Sequence, residues 1–298
     1  MNKPPVISIG IPAYNAGASI GPTIEGLLAQ SFGNFELIVS DNASTDGTRD
    51  VVENYMLRDP RVRYERQPVN VGANGNYSHV VRRARGEFFK WSSSSDWCAP
   101  TFLERCLNQL LAHGDTVLVA PRTRLFHGNP STWQDYAFDI EVLDEEPHAR
   151  FARLYSTLRL NNAMNGLIRM SALRRTRLVE PYLSADVVLM GHLALLGKFR
   201  LLPERLFYRR MEAKFATALQ DPGAVLKHHY PQQSARTLLQ GSKRLMGRVR
   251  AALSAPMPMG HKLRSLIYVA KTCYWERTAI LEDLPGVWQY FIRGTRRE

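Results

Sequence analysis

The sequence predicts an α/β fold, a mostly parallel sheet flanked by helices, with a helical, basic C-terminal extension. Three observations predict it. Short β-rich runs alternate with helix-period runs through the first 120 residues. Clusters of turn-forming residues follow the first two strand runs. From about residue 221 the pattern becomes helical, and positive charge accumulates there. At 298 residues the chain can bury a large core, and 45% hydrophobic with 22% charged residues is ordinary globular composition.

Each element has its own signal. "VISIGI" (6–11) is a β-branched run, so a strand. Ile20, Ile24, Leu27 and Leu28 make the stripe of an amphipathic helix. "FELIVS" (35–40) is the second strand, and Val51, Val52, Tyr55 and Met56 mark the second helix. "RVRYER" (61–66) is the third strand; Tyr77, Val80, Val81 and Ala84 give the third helix its face. "EFFKWS" (87–92) is the fourth strand. Pro100 suits the first turn of a helix carrying Phe102, Leu103, Cys106, Leu107 and Leu110. "TVLVAP" (116–121) is a fifth strand, and the polar segment 122–145 reads as a long loop over the site. Helices near 147–158 and 186–196 and a strand at 198–203 follow. In the tail, Leu263, Leu266, Ile267, Ala270, Cys273, Tyr274, Ile280 and Leu281 keep helical spacing. There Arg236, Lys243 and Arg250 recur every seven residues, near Leu238, Leu245, Met246 and Leu253.

Net charge is +12, and residues 234–298 hold 12 Lys/Arg against 4 Asp/Glu. Such a tail suits an anionic membrane surface, or packing against the rest of the protein. Nucleic acid is not expected, because the tail lacks interleaved aromatic stacking platforms. Cys98, Cys106 and Cys273 are odd in number and lack metal-ligand spacing, as for buried thiols in a reducing cytoplasm. No run reaches the roughly 18–20 apolar residues that span a bilayer, and the N-terminus reads as a strand rather than a signal peptide. The expected location is cytoplasmic, or peripheral on the inner face of the cell membrane.

In an open parallel sheet, ligands bind at the carboxyl ends of the strands. "PAYNAG" (12–17) and "DNASTDGT" (41–48) lie at two such ends. Tyr14 offers an aromatic face for a base, Asp41 can accept a uracil imide N–H, and Asn42 and Ser44 can bond ribose or backbone. Asp46 can cap the next helix. "PAYNAG" has no basic residue, which argues against a nucleotidyltransferase phosphate loop.

These segments carry a family resemblance. "VISIGIPAYNAGASIGPTIEGLLAQSFGNFELIVSDNASTDGT" resembles the opening of glycosyltransferase family 2, whose members have the Rossmann-like GT-A fold. "NVGANGNYSHVVRRARGEFFKW", "DWCAPTFLERC" and "SADVVLMGHLALLGKFRLLPERLFYRR" extend the resemblance over about 5–212. It implies transfer of a sugar from a nucleotide-diphosphate donor, UDP-linked, with inversion, in polysaccharide or glycan assembly. The acceptor would be a glycan or a polyprenyl-linked one. It divides the chain into a catalytic domain, 1–220, and the extension, 221–298; within the domain, 1–120 would bind nucleotide and 121–220 the acceptor. Carried over residue by residue, Pro12, Ala13, Tyr14, Asn15 and Asn76 would hold the nucleotide, Asp41 would read the base, and Asp186 would be the catalytic base.

The family's acidic metal motif is reduced here. "KWSSSSDWCAP" (90–100) keeps one carboxylate, Asp96, with Ser95 beside it. Three readings stay open. Asp96 alone holds Mg²⁺ or Mn²⁺, with diphosphate and water supplying the other oxygens. Or Lys90, Arg209 and Arg210 neutralise the diphosphate without metal. Or the protein is a catalytically inactive sugar-nucleotide-binding scaffold. Trp91 and Trp97 serve packing or sugar stacking, Trp97 being the acceptor-side candidate. Asn161 and Asn162 bond sugar hydroxyls or cap the loop. Where family members carry a His ligand after the closing strand, this chain has none, and Glu212 is the substitute. His192 reads as a helix-face residue.

Overall fold

The computed structural model describes residues 4–128, 131–211, 239–275 and 277. Expectations at Glu212, Arg236, Leu238, Ile280 and Leu281 lie outside the described residues.

The strands are β1 (Ile7–Ala13), β2 (Phe35–Asp41), β3 (Val62–Arg66), β4 (Phe88–Trp91), β5 (Trp97–Cys98), β6 (Thr116–Phe126), β7 (Trp133–Asp135), β8 (Leu167–Arg169) and β9 (Lys198–Arg210). They form one sheet in the order β3-β2-β1-β4-β8-β6-β9-β5, with β7 paired to β6. β3, β2, β1 and β4 run parallel. β8 runs antiparallel between β4 and β6, and β6 pairs parallel with β9. The helices are α1 (Ile20–Leu28), α2 (Thr48–Met56), α3 (Ala73–Arg82), α4 (Phe102–Ala112), α5 (Pro147–Thr157), α6 (Met170–Leu173), α7 (Ala185–Leu196), α8 (Gln240–Ser254) and α9 (Met259–Trp275).

Periodicity explains the first 120 residues. Strands buried on both faces read as continuous apolar runs. Ile7, Ile9 and Ile11 are fully buried, as are Leu37, Ile38 and Val39. One side of the sheet packs on α1 and α4 through Ile20, Ile24, Phe102, Leu103 and Cys106. The other packs on α3 and α7 through Val80, Val81, Leu189, Met190 and Leu193. β1, β2 and β4 therefore end together, presenting the 12–17, 41–48 and 92–96 loops along one edge.

The expected loop at 122–145 is corrected. Residues 122–126 continue β6, and Trp133–Asp135 folds back on them as β7. Thr123 donates its N–H and hydroxyl to Asp139, and Val142 bridges to Phe199. This segment extends the sheet rather than covering the strand ends. The tail helices pack onto the domain: Ala251, Ala255 and Val269 share a core with Phe151 and Leu195.

α7 is buried on nearly all sides, and His192 lies on it at 4% exposure. Burial drives its pKa from 6.5 down to about 4. The folded value is below the unfolded one, so the folded state binds fewer protons. The stabilisation from a neutral His192 is full above pH 6.5 and is lost as pH falls toward 4, at up to roughly 1.4 kcal/mol per pH unit. In denaturant titrations between pH 7 and 4, His192→Leu should lose stability less steeply than wild type. Equal slopes would contradict this placement.

Candidate active site

A cleft of about 600 Å³ opens at the carboxyl ends of β1, β2 and β4, a size suited to a small-molecule ligand. Its walls come from four loops. Pro12, Ala13, Tyr14 and Asn15 supply one, Asn42 and Asn70 a second, Ser93, Ser94, Ser95 and Asp96 a third, and Arg209 and Arg210 the fourth. Asn76 and Tyr77 of α3 and Asn165 complete it.

The first two loops hold each other. Asn15, at φ 48, donates its N–H to Ser44 Oγ at 2.9 Å, and its side-chain carbonyl accepts from Thr45 N–H. Asp46 takes the N–H groups of Gly17 and Thr48, each at 3.0 Å. It starts the helix and joins the loops at once. Asn42 accepts from Val71 N–H and donates to Asn70. Gly72, at φ 80 and ψ 162, lets the chain turn from that bracket into α3 in a conformation open to glycine. Asn76 accepts from Ser40 Oγ and donates to the carbonyls of Ser40 and Ala13, clamping α3 to the ends of β1 and β2.

Asp96 is the acidic residue lining this cleft among the described residues. Its Oδ1 accepts the Arg210 backbone N–H at 2.9 Å, and its carbonyl accepts from Thr23. No described residue bonds its Oδ2. Burial pushes its carboxyl above the usual value, offset in part by the Arg210 N–H and the Arg209 and Lys90 cations. Burial also pushes the Tyr77 hydroxyl up to about 12, with smaller effects from Asp96, Arg209 and Asp186. Tyr77 thus feels both carboxylates. A lone carboxylate oxygen facing a cleft, with hydroxyls beside it, fits a hard divalent cation that keeps waters and phosphate oxygens as its other ligands.

Beyond the cleft lining, Arg209 Nη1 donates to Asn162 Oδ1 at 2.6 Å, and Asn162 donates to Asp139. Asn161 Nδ2 donates to Asp186 Oδ2 at 2.8 Å. Asp186 sits in the first turn of α7. Asn161 Oδ1 is buried without a partner among the described residues.

Several expected contacts are corrected. Lys90 is fully buried; its Nζ donates to the carbonyls of Trp91 and Asn165, over the rings of Phe102 and Phe207. It cannot grip a diphosphate from there. Asp41 is also fully buried. Its Oδ1 accepts Ser44 N–H, and its Oδ2 accepts from Tyr64 and Arg66. Complete burial beneath these three donors keeps it out of the cleft lining. Ser44 holds Asn15 rather than lining the cleft. Trp97 packs edge-on against Tyr208, with Gly26 directly beneath its indole, and Trp91 is core. Asn161, Asn162 and Asp186 are outside the cleft lining, Asn162 being joined to it through Arg209. Asn70, Tyr77 and Asn165 were missed. The Asn-x-Gly spacing could have flagged Asn70, whereas Tyr77 read only as a helix-face residue.

The family model described as "Glycosyl transferase family 2" matches residues 8–180, more than half of the chain. The chain belongs to glycosyl transferase family 2. It is similar to the putative teichuronic acid biosynthesis glycosyltransferase TuaG of Bacillus subtilis, 33% identical over 37% of this chain and 44% of that one. The hyaluronan synthase of Pasteurella multocida is 26% identical over 77% of this chain and 23% of that one. The chain therefore spans less than half the length of these relatives. Its fold matches the crystal structure of S. aureus TarS 1–349 in complex with UDP, with a TM-score of 0.65 at 16% identity, covering 91% of this chain and 73% of that one. The fold expectation, a GT-A sheet flanked by helices, holds.

Lys90 supports the cleft without facing it. Lys90→Met should lower stability by about 1–3 kcal/mol, because two buried carbonyls lose their donor. If the cleft takes UDP, the affinity of Lys90→Met for it, measured calorimetrically, should stay within about threefold of wild type. A larger loss would return Lys90 to the binding site.

Proposed function

We propose that this family 2 protein is an inverting glycosyltransferase. Its donor is a nucleotide-diphosphate sugar, UDP-linked, and its acceptor a hydroxyl of a glycan or lipid-linked saccharide. The observation that carries the reading is the Oδ2 of Asp96, unpartnered among the described residues, in a cleft at the carboxyl strand ends that Arg209 and Arg210 also line.

The nucleotide lies against Tyr14 and the Asn42–Asn70–Asn76 wall, with its diphosphate toward Ser93–Asp96 and Arg209–Arg210. Asp96 Oδ2 would hold Mg²⁺ or Mn²⁺, which would supply Lewis-acid neutralisation of the diphosphate. Arg209, oriented by Asn162, adds fixed positive charge where the leaving group gains negative charge. The acceptor oxygen attacks the anomeric carbon as the bond to the diphosphate oxygen breaks, and that oxygen keeps the electron pair. The acceptor's proton passes to the Asp186 carboxylate, which Asn161 orients. One displacement inverts the anomeric configuration.

The test is UDP release from UDP-glucose, UDP-galactose and UDP-N-acetylglucosamine, with water or added oligosaccharide as acceptor. Asp186→Asn should lower kcat by about 10²–10⁴, while UDP affinity stays within about twofold. Turnover unchanged in Asp186→Asn would remove Asp186 as the base. UDP binding without turnover of any donor would favour a sugar-nucleotide-binding scaffold.

A further inference from the structure

The tail helices are apolar on two opposite sides. At about 100° per residue, Ser265, Val269 and Thr272 of α9 fall on one side and are buried. Met259, Leu263, Ile267 and Tyr274 fall on the other, 74%, 60%, 49% and 66% exposed. α8 repeats the arrangement. Arg248, Ala251 and Ala252 are buried, while Met246 and Leu253, seven residues apart and about half exposed, face away. A helix resting on a domain in water is normally polar on its outer face, and these are not.

Charge completes the pattern. Residues 239–275 contain seven Lys/Arg and no Asp/Glu. On the α9 wheel, Arg264 and Lys271 border the exposed apolar stripe on one side and Lys262 on the other. Arg264 and Lys271 are exposed, and no ion pair engages them among the described residues. Lys262 Nζ also caps α8, donating to the Leu253 carbonyl. No helix among the described residues is long and apolar enough to cross a membrane.

We propose that the outer face of α8 and α9 docks on an anionic lipid bilayer. An apolar stripe between two cationic borders is what a helix lying in the membrane interface requires: side chains enter the acyl boundary while Lys and Arg meet phosphate headgroups. The single sign of charge decides for a bilayer over a second copy of this chain, which would bring its own cations to the contact. The inner faces hold the helices to α5 and α7, so docking fixes the catalytic domain at the surface. Membrane docking does not depend on which donor the cleft takes.

The test is flotation of the full chain with phosphatidylcholine vesicles, with and without phosphatidylglycerol, at low and high salt. Wild type should float with the anionic vesicles and less so at high salt. Leu263→Glu/Ile267→Glu and Arg264→Glu/Lys271→Glu should each reduce flotation at least about tenfold. Circular dichroism and UDP binding unchanged in both variants would show that they fold. No flotation of wild type on either vesicle overturns the proposal, as does equal flotation of the variants. A wild-type dimer that Leu263→Glu/Ile267→Glu dissociates, without vesicle binding, would make this face an interface between copies and also overturn it.

Discussion

The hydrogen bond from the Arg210 backbone N–H to Asp96 Oδ1 organises the site. It joins the loop after β4 to the end of β9, 114 residues away in sequence. β5 continues the same junction, pairing Trp97 with Tyr208 and Cys98 with Phe207. Thr23 of α1 fixes the Asp96 carbonyl from a third direction. A residue whose backbone is fixed on two sides and whose carboxylate is held through Oδ1 loses little freedom on binding, so one acidic residue can do work that a mobile pair would do less well. The same junction brings Arg209 and Arg210 to the cleft, since they are the last residues of the strand that makes it.

The electrostatics follow from this placement. An acidic side chain at 6% exposure is costly unless cations and N–H dipoles answer it. Arg209 stands beside it in the cleft and Lys90 lies in the core, each favouring the carboxylate. Lys90 is itself held by two carbonyls and two aromatic rings, a buried cation with its hydrogen bonds made. The core thus supports the charge of the site from below, and the arginines support it from the cleft.

The first 120 residues were legible because their signals are local. Alternation of β-rich and helix-period runs depends on neighbours in sequence, and Asn15, Asn42 and Asp96 fall at strand ends whatever the tertiary details. The part from 121 to 211 was less legible because its strands are defined by partners far away. Residues 122–126 include Arg122 and Arg124, which look like loop until β9 supplies the matching ladder. Lys90 was misread for a related reason. Lysines are almost never fully buried, and only the carbonyls of Trp91 and Asn165, the latter 75 residues distant, make that position tolerable. Asp41 was read by its type, but Tyr64 and Arg66 on the neighbouring strand decide what its oxygens do.

The account rests on one carboxylate serving where a pair would be expected. The most direct test is calorimetric titration of UDP into wild type and Asp96→Ala, each with Mn²⁺ and with chelator. The account predicts Mn²⁺-dependent UDP binding in wild type, weakened at least about tenfold in Asp96→Ala, roughly the loss of one charge-assisted contact. UDP affinity that is equal with chelator and equal in Asp96→Ala would contradict it, and would move charge neutralisation to Arg209 and Arg210.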